Sequence, residues 1–289
     1  MQGSGMNRTV FIRIKGFKDP PHKISVLTVN KFRRNIMNIS ISTLALSPNP
    51  LDDVLACLED RGLKYCEVIN EYPYNSIEGD VVDSYDVKIS VHSPLSDINI
   101  ASYNEAMKRS SVSQIKNSID LASSLEPGIV VVHPGHIPIL GKKFEDKILK
   151  NSKESLGECS KYAADRGVML CVENMPDING LLCKDIYQLD NIVEDLEAYM
   201  TLDVGHANNM KFHVSEMLRS PRIKHIHLSD NDGSFDNHNA LGSANIDFKS
   251  LFKELIKIRY NGILVVEVKD PLAVSESLDF LENNFKELF

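Results

Sequence analysis

Gly128–His133 reads GIVVVH, an apolar run of strand length that stops on an imidazole. Buried parallel strands look like this, roughly 4–8 apolar residues without polar alternation, because helices cover the sheet. Five further runs end in the same way: Val87–His92 (VKISVH), Val168–Glu173 (VMLCVE), Ala198–Asp203 (AYMTLD), Ile223–His227 (IKHIH) and Ile263–Glu267 (ILVVE). One polar residue at a strand end is ordinary. Chance would scatter imidazoles and carboxylates rather than set them at successive strand ends. In a parallel barrel the C-terminal strand ends share one rim, where catalytic groups collect. The pattern predicts a ring of metal-binding side chains on that rim.

Outward from these runs, strand and helix signals alternate. Ile36–Ser42 reads as the first strand and Leu63–Ile69 as the second. Helical spacing appears at Pro50–Arg61, with Pro50 at the start and Gly62 as the stop. It recurs at about 102–125, 144–165, 184–196, 214–219, 247–258 and 273–289, with Asp247 as an N-cap. Strands alternating with helices imply parallel pairing through right-handed crossovers. Eight such units close more naturally than they lie open. The expected fold is α/β, a single-domain (β/α)8 TIM barrel over residues 36–289, with residues 1–35 as an N-terminal extension.

Composition narrows the class. The chain has 289 residues, 43% hydrophobic and 25% charged, which suits a globular domain with a full core. No apolar stretch approaches the ~18 residues that span a membrane. The first 35 residues lack the continuous apolar segment of a secretory signal, so a cytoplasmic protein is expected. A net charge of −8 argues against non-specific binding to nucleic acid or anionic membrane. The five cysteines (Cys57, Cys66, Cys159, Cys171, Cys183) form no C-x-x-C pair and are expected as reduced structural thiols.

The candidate ligands extend beyond the strand ends. His206 lies three residues past Asp203, just inside the following loop, and Asp236-Asn237-His238 offers a further D-x-H pair. The set is His92, His133, Glu173, Asp203, His206, His227, Asp236, His238 and Glu267. Mixed imidazole and carboxylate donors suit zinc first, then manganese, cobalt or iron, rather than the oxygen shell of calcium. One ion with an open position needs three or four of them, and nine suffice for two or three ions if a carboxylate bridges. Packing so many ionisable groups together calls for cations to neutralise the acids. His225 faces the same side as His227 by strand alternation and is assigned a supporting or core role. His136, after Pro134-Gly135, is either a rim contact or solvent-facing, whereas His22 and His213 have no supporting pattern and read as surface residues.

The segments VVHPGH, CVENMP, TLDVGHAN, HIHLSDNDG, DNHNALGSANIDF and YNGILVVEV resemble the xylose isomerase-like barrel superfamily. It includes sugar phosphate isomerases/epimerases and endonuclease IV, the AP endonuclease family 2. The likeness runs from about Ile39 to about Asp270. By resemblance to endonuclease IV, His92, His133 and Glu173 would hold one zinc ion, and Glu173, Asp203, His227 and Glu267 a second. Glu173 would bridge the two, and His206, Asp236 and His238 would hold a third. By resemblance to the isomerases, Glu173, Asp203, His227 and Glu267 form a mononuclear site, with Glu173 and Glu267 acting on substrate protons.

Two chemistries follow. The first is proton transfer beside a metal-polarised carbonyl of a sugar or sugar phosphate. The second is phosphodiester cleavage at abasic sites by clustered metals, which alone would make nucleic acid a partner. The extra ligands favour the second. Departures from the endonuclease pattern favour the first: Asn38–Ser42 replaces its G-x-H motif, and Asn70–Asn75 (NEYPYN) carries Glu71 and no arginine. Ser93-Pro94-Leu95 lacks its tyrosine. Tyr72 and Tyr74 could stack on a sugar or base. The isomerase/epimerase is the expected function, with a small sugar or sugar phosphate as partner and no membrane.

Overall fold

The structure is a computed structural model that describes residues 37–77 and 79–288. The proposed extension 1–35, Ile36 and His22 lie outside the described residues. Eight strands form the barrel: β1 Asn38–Ser42, β2 Tyr65–Ile69, β3 Lys88–His92, β4 Pro127–Val132, β5 Met169–Glu173, β6 Tyr199–Asp203, β7 Ile223–Leu228 and β8 Ile263–Val266. They are hydrogen-bonded in chain order and all parallel, and β8 returns to β1 with Asn38 opposite Ile263 and Ile41 opposite Val266.

The helices are α1 Leu51–Asp60, α2 Gly79–Val82, α3 Glu105–Ser123, α4 Glu145–Ala164, α5 Ile186–Asp195, α6 Val204–Asn209, α7 Val214–Met217, α8 Phe248–Lys257 and α9 Pro271–Phe285. Several of their starts follow from side chains that accept otherwise unpaired N–H groups. Asn104 caps α3, Asp185 caps α5, Asp247 accepts from Ser250 N at α8, and Asp270 precedes Pro271 at α9. The last helix thus begins earlier than its apolar spacing suggests, because Pro271 tolerates the first helical position. The short α2 and α6 have no counterpart in the sequence pattern, since neither spans enough turns to show a 3.6-residue period.

Strand alternation sorts the side chains into two cores. Ile39, Ile41, Cys66, Val68, Ile89 and Val91 belong to the main cluster shared with the helices. The other set points into the barrel. At its amino end Tyr65, Ile129, Met169, Tyr199 and Ile263 pack with Cys171 and Val265 in a small separate cluster. Branched aliphatic residues usually fill such interiors. Here polarity rises toward the carboxyl end: Ser40, Glu67, Ser90, Thr201 and His225 are buried in the next layer, and the strand-end acids and imidazoles lie beyond them.

Two buried side chains anchor the carboxyl-end loops. Asn99 Oδ1 accepts from the backbone of Ala101 and His136, and its Nδ2 donates to the His136 carbonyl, fixing the turn after β4. Asp230 accepts from Ala244 N and Ile246 N, and it pairs with Asn239 through backbone bonds, closing the loop after β7. Gly135 sits in the first of these turns with φ +93, where a Cβ would stand 2.7 Å from Asn99 Oδ1 and 2.8 Å from Ala101 Cβ. Both the left-handed backbone and the contact require glycine. Gly135→Ala is expected to cost about 1–3 kcal/mol, seen as a fall of roughly 3–10 °C in melting temperature. An unchanged melting curve would show that the turn is not held as described.

Candidate metal centre

Strand geometry brings seven of the nine predicted donors to one end directly or within three residues of a strand terminus, and the β7 loop folds Asp236 and His238 back over them. Three donor groups form, each with ligand atoms within 4.8 Å of one another: His92, His133 and Glu173; Glu173, Asp203, His227 and Glu267; and His206, Asp236 and His238. All nine predicted residues fall into these groups, and Glu173 belongs to two of them. Its Oε2 lies 3.3 Å from His92 Nε2 and 3.2 Å from His133 Nε2, whereas its Oε1 lies 3.4 Å from His227 Nδ1.

Neighbouring groups set the direction of each donor. Asn174 clamps the end of β6 through its amide, donating to the Asp203 carbonyl and accepting from Asp203 N. Asp203 Oδ1 then caps α6 by accepting from His206 N at 2.7 Å, while its Oδ2 has no hydrogen-bond partner. His206 therefore sits in the first turn of a helix rather than in a loop. Its Nδ1 lies 2.7 Å from the Asn174 carbonyl, which leaves Nε2 at 3.1 Å from Asp236 Oδ2. His238 adopts φ +44, and its Nδ1 lies 2.9 Å from the Glu267 carbonyl, so that Nε2 faces Asp236 at 2.9 Å. His92 Nδ1 lies 2.7 Å from the Ser93 carbonyl. In each case a backbone carbonyl takes the Nδ1 side of the ring and turns Nε2 inward, the nitrogen that would meet a metal once its proton is displaced.

The buried charges shift one another. Burial raises a lone carboxyl, yet His227 and His133 hold Glu173 well below the usual range. Burial, reinforced by Glu173 and Asp236, pushes Asp203 up to about 6 despite His206. Burial works against the protonated imidazoles, but Glu173 raises His92 to about 9, and Asp203 and Asp236 raise His206 to about 9. His238, beside Asp236 and Glu267, rises to about 10, while burial lowers His133.

The residues suit a divalent metal by a geometric test. His227 Nδ1 stands 3.1 Å from Glu267 Oε2, 3.4 Å from Glu173 Oε1 and 3.9 Å from Asp203 Oδ2, yet it makes no aligned hydrogen bond. Four donors sharing one tetrahedral ion with bonds of ~2.1 Å would be spaced about 3.4 Å apart. Buried acceptors without donors are costly, and Asp203 Oδ2, 3.9 Å from His227 Nδ1, is one such atom, with Asp236 Oδ1 a second.

One residue of this region escaped the sequence reading. Glu67 on β2 is fully buried, with Oε2 2.6 Å from His225 Nε2 and Oε1 3.0 Å from His227 Nε2, and it completes a fourth donor group with them. It lies two residues short of its strand end, so a search of terminal positions passes over it. The available signal was a carboxylate inside the apolar run YCEVI. His225 is buried on the same side of β7 as His227, against Glu67. His136 is half-buried and lines a cavity beside His133 with Asn99, Met175 and Leu181. His213 is exposed. Tyr74 is buried and donates to the Asn49 carbonyl, so it packs and cannot stack on a ligand, whereas Tyr72 is 87% exposed. Glu71 is tied to Leu95 N and Ser96 N and joins the loops after β2 and β3. All five cysteines are free thiols. No helix among the described residues is long and apolar enough to cross a membrane.

Comparison with known proteins agrees with this architecture. An uncharacterised protein of Methanocaldococcus jannaschii, MJ1311, is 31% identical over 85% of this chain and 88% of its own length. A solved structure titled as a D-tagatose 3-epimerase-like protein superposes with a TM-score of 0.78 at 30% identity, covering 87% of this chain and 98% of that one. Fructoselysine 3-epimerase of Shigella flexneri is 23% identical over 71% of this chain and 66% of its own length. The profile of the xylose isomerase-like TIM barrel family matches residues 78–284. With the closed parallel barrel and its carboxyl-end donor ring, that match establishes that the chain belongs to the xylose isomerase-like TIM barrel family.

Proposed function

We propose that the protein is a divalent-metal-dependent sugar or sugar-phosphate isomerase/epimerase. The observation that carries this reading is the pair Glu173 and Glu267. They reach the centre from β5 and just past β8, three strands apart around the ring, and both approach the same imidazole nitrogen, His227 Nδ1. Two carboxylates that reach one small space from strands three apart suit removal of a proton from a carbon and its return. The relatives support it: the names D-tagatose 3-epimerase-like protein and fructoselysine 3-epimerase denote inversion beside a ketose carbonyl.

Glu173, Asp203, His227 and Glu267 would hold the central ion. When bound, it supplies Lewis acidity that polarises a substrate carbonyl and its neighbouring hydroxyl. The chain does the rest. Glu173, kept ionised by His227 and His133, is the base that takes a proton from the carbon beside the carbonyl. Glu267, also held low against burial by His227, serves the opposite face. His133 and His136 line the adjoining cavity, where the remainder of a small substrate fits. Zinc is the first candidate for the metal, with manganese, cobalt and iron also suited to these donors.

A second reading, an abasic-site phosphodiesterase with a multinuclear zinc site, is favoured by the two flanking groups, His92–His133–Glu173 and His206–Asp236–His238. Burial of Tyr74 and the absence of arginine leave exposed Tyr72 as the one aromatic of the β2 loop open to a base, beside the acidic Glu71, so this reading ranks second.

Incubation with ketoses, aldoses and their phosphates in deuterium oxide is expected to show metal-dependent exchange beside the carbonyl. Glu173→Gln or Glu267→Gln should reduce that exchange by about 10²–10⁴. No exchange with any sugar, together with cleavage of an abasic-site oligonucleotide, would favour the second reading.

Metal content separates the readings further. Asp236→Asn with His238→Ala should remove one metal equivalent by elemental analysis while sugar turnover falls only modestly. Collapse of all turnover would mean that the outer group belongs to the chemistry.

Uptake should also depend on pH. His92 and His206, held up at about 9, and His238, at about 10, carry protons at neutral pH in the metal-free protein. A metal must displace those protons, so affinity should rise as pH increases from 6.5 to 8.5 in competition titrations. A flat profile would contradict the buried imidazolium network.

A further inference from the structure

We propose that Glu67 is a positioning residue that selects the nitrogen with which His227 meets a metal, and that His225 and Ser90 hold Glu67 for that task. The inference rests on the central group described above being a metal site. The outward-turned histidines of the rim give the comparison. His92, His206 and His238 each place Nδ1 against a backbone carbonyl, at 2.7, 2.7 and 2.9 Å, and direct Nε2 into the site. His227 is reversed. Its Nδ1 faces Glu173, Asp203 and Glu267, and its Nε2 points down the barrel to Glu67 Oε1 at 3.0 Å.

The reversal has a structural cause. His227 ends an inward-facing row on β7, below the loops that lend carbonyls to the other three. Inside the barrel the strand carbonyls are committed to the parallel ladder, so the acceptor must be a side chain. Glu67 supplies it from β2, across the interior rather than from a neighbouring strand, because β1 and β8 separate β2 from β7.

Glu67 faces a histidine nitrogen at each oxygen, hydrogen-bonded at Oε2 and within 3.0 Å but without an aligned bond at Oε1. Its Oε2 lies 2.6 Å from His225 Nε2 and accepts from Ser90 Oγ at 3.2 Å, while Oε1 faces His227. Only a carboxylate accepts at both atoms. A glutamine offers one acceptor and one NH2 donor, so it would leave either His225 or His227 facing a donor. A carboxylate behind a ligating imidazole fixes its tautomer and raises its basicity.

The test uses the full chain, stripped of metal and titrated with Zn²⁺ against a chromophoric chelator, and repeated with Co²⁺ so that the visible spectrum reports ligation. Glu67→Gln should weaken the central equivalent by about 10–100-fold and alter the Co²⁺ spectrum. A residue that only filled the interior would lower the melting temperature without changing affinity or spectrum, so Glu67→Gln affinity within threefold of the parent would overturn the proposal. A second measurement needs no folded variant at position 67. In the zinc-loaded parent labelled with ¹⁵N-histidine, the His227 ring signals, identified by their loss in His227→Asn, should show the proton on Nε2. A proton on Nδ1 would overturn the assignment whatever the variant does. Failure of the parent itself to bind Zn²⁺ or Co²⁺ would instead overturn the metal site, and this inference with it.

Discussion

The barrel interior must accommodate ionised groups in a place that water cannot solvate. Glu67, Glu173, Asp203, His225 and His227 are each no more than 1% exposed, and the unrelieved cost of burying such charges is several kcal/mol per ion. The rest of the site follows from relieving that cost. Every carboxylate there lies against at least one imidazole, and Glu173 lies against four: His92, His133, His206 and His227. The network is compensated in charge but not in directional bonding, because Asp203 Oδ2, Asp236 Oδ1 and both nitrogens of His227 lack aligned partners. Cations between them would relieve that deficit more completely than protons can.

The scaffold meets this demand by grading its interior. Apolar residues close the amino end, a polar layer of Ser40, Glu67, Ser90, Thr201 and His225 follows, and ionisable strand ends complete the carboxyl end. The gradient gathers the ionisable groups at the carboxyl end, where the loops and the cavity beside His133 lie. The loops above are held by amide and carboxylate clamps at Asn99, Asn174 and Asp230, each accepting backbone N–H groups. These clamps set the directions of His136, Asp203 and the Asp236–His238 segment, and hence the pairing of donors into groups.

A donor ring of this kind serves two chemistries without changing its residues. Under the proposed reading, the two carboxylates would transfer a proton on a small polyol beside one central ion, whereas additional ions would suit attack on a phosphodiester. What separates them is the surrounding surface. The loop after β2 spends Glu71 on the adjoining backbone and Tyr74 on packing, and it offers Tyr72 alone, with no arginine, to a nucleic acid. The cavity beside His133 is lined by residues from the loops after β3, β4 and β5.

The amino-acid sequence by itself determined the barrel and most of the donor ring. Strand runs such as GIVVVH and VMLCVE are local patterns, and a parallel barrel gathers their last residues on one rim whatever the loops do. The same locality explains why His225 was readable as a supporting residue from its two-residue spacing to His227. Only the tertiary structure decided the remainder. Glu67 sits mid-strand, and its importance depends on which interior layer the β2 register places opposite β7, which no local pattern carries. The turn that makes His206 part of α6 is too short for a helical period and depends on the Asp203 cap. Tyr74 was lost as a stacking candidate because the chain around it folds onto Asn49, a contact between segments 25 residues apart. Periodicity records which face a side chain takes, whereas its partner across the barrel is fixed by closure and register alone.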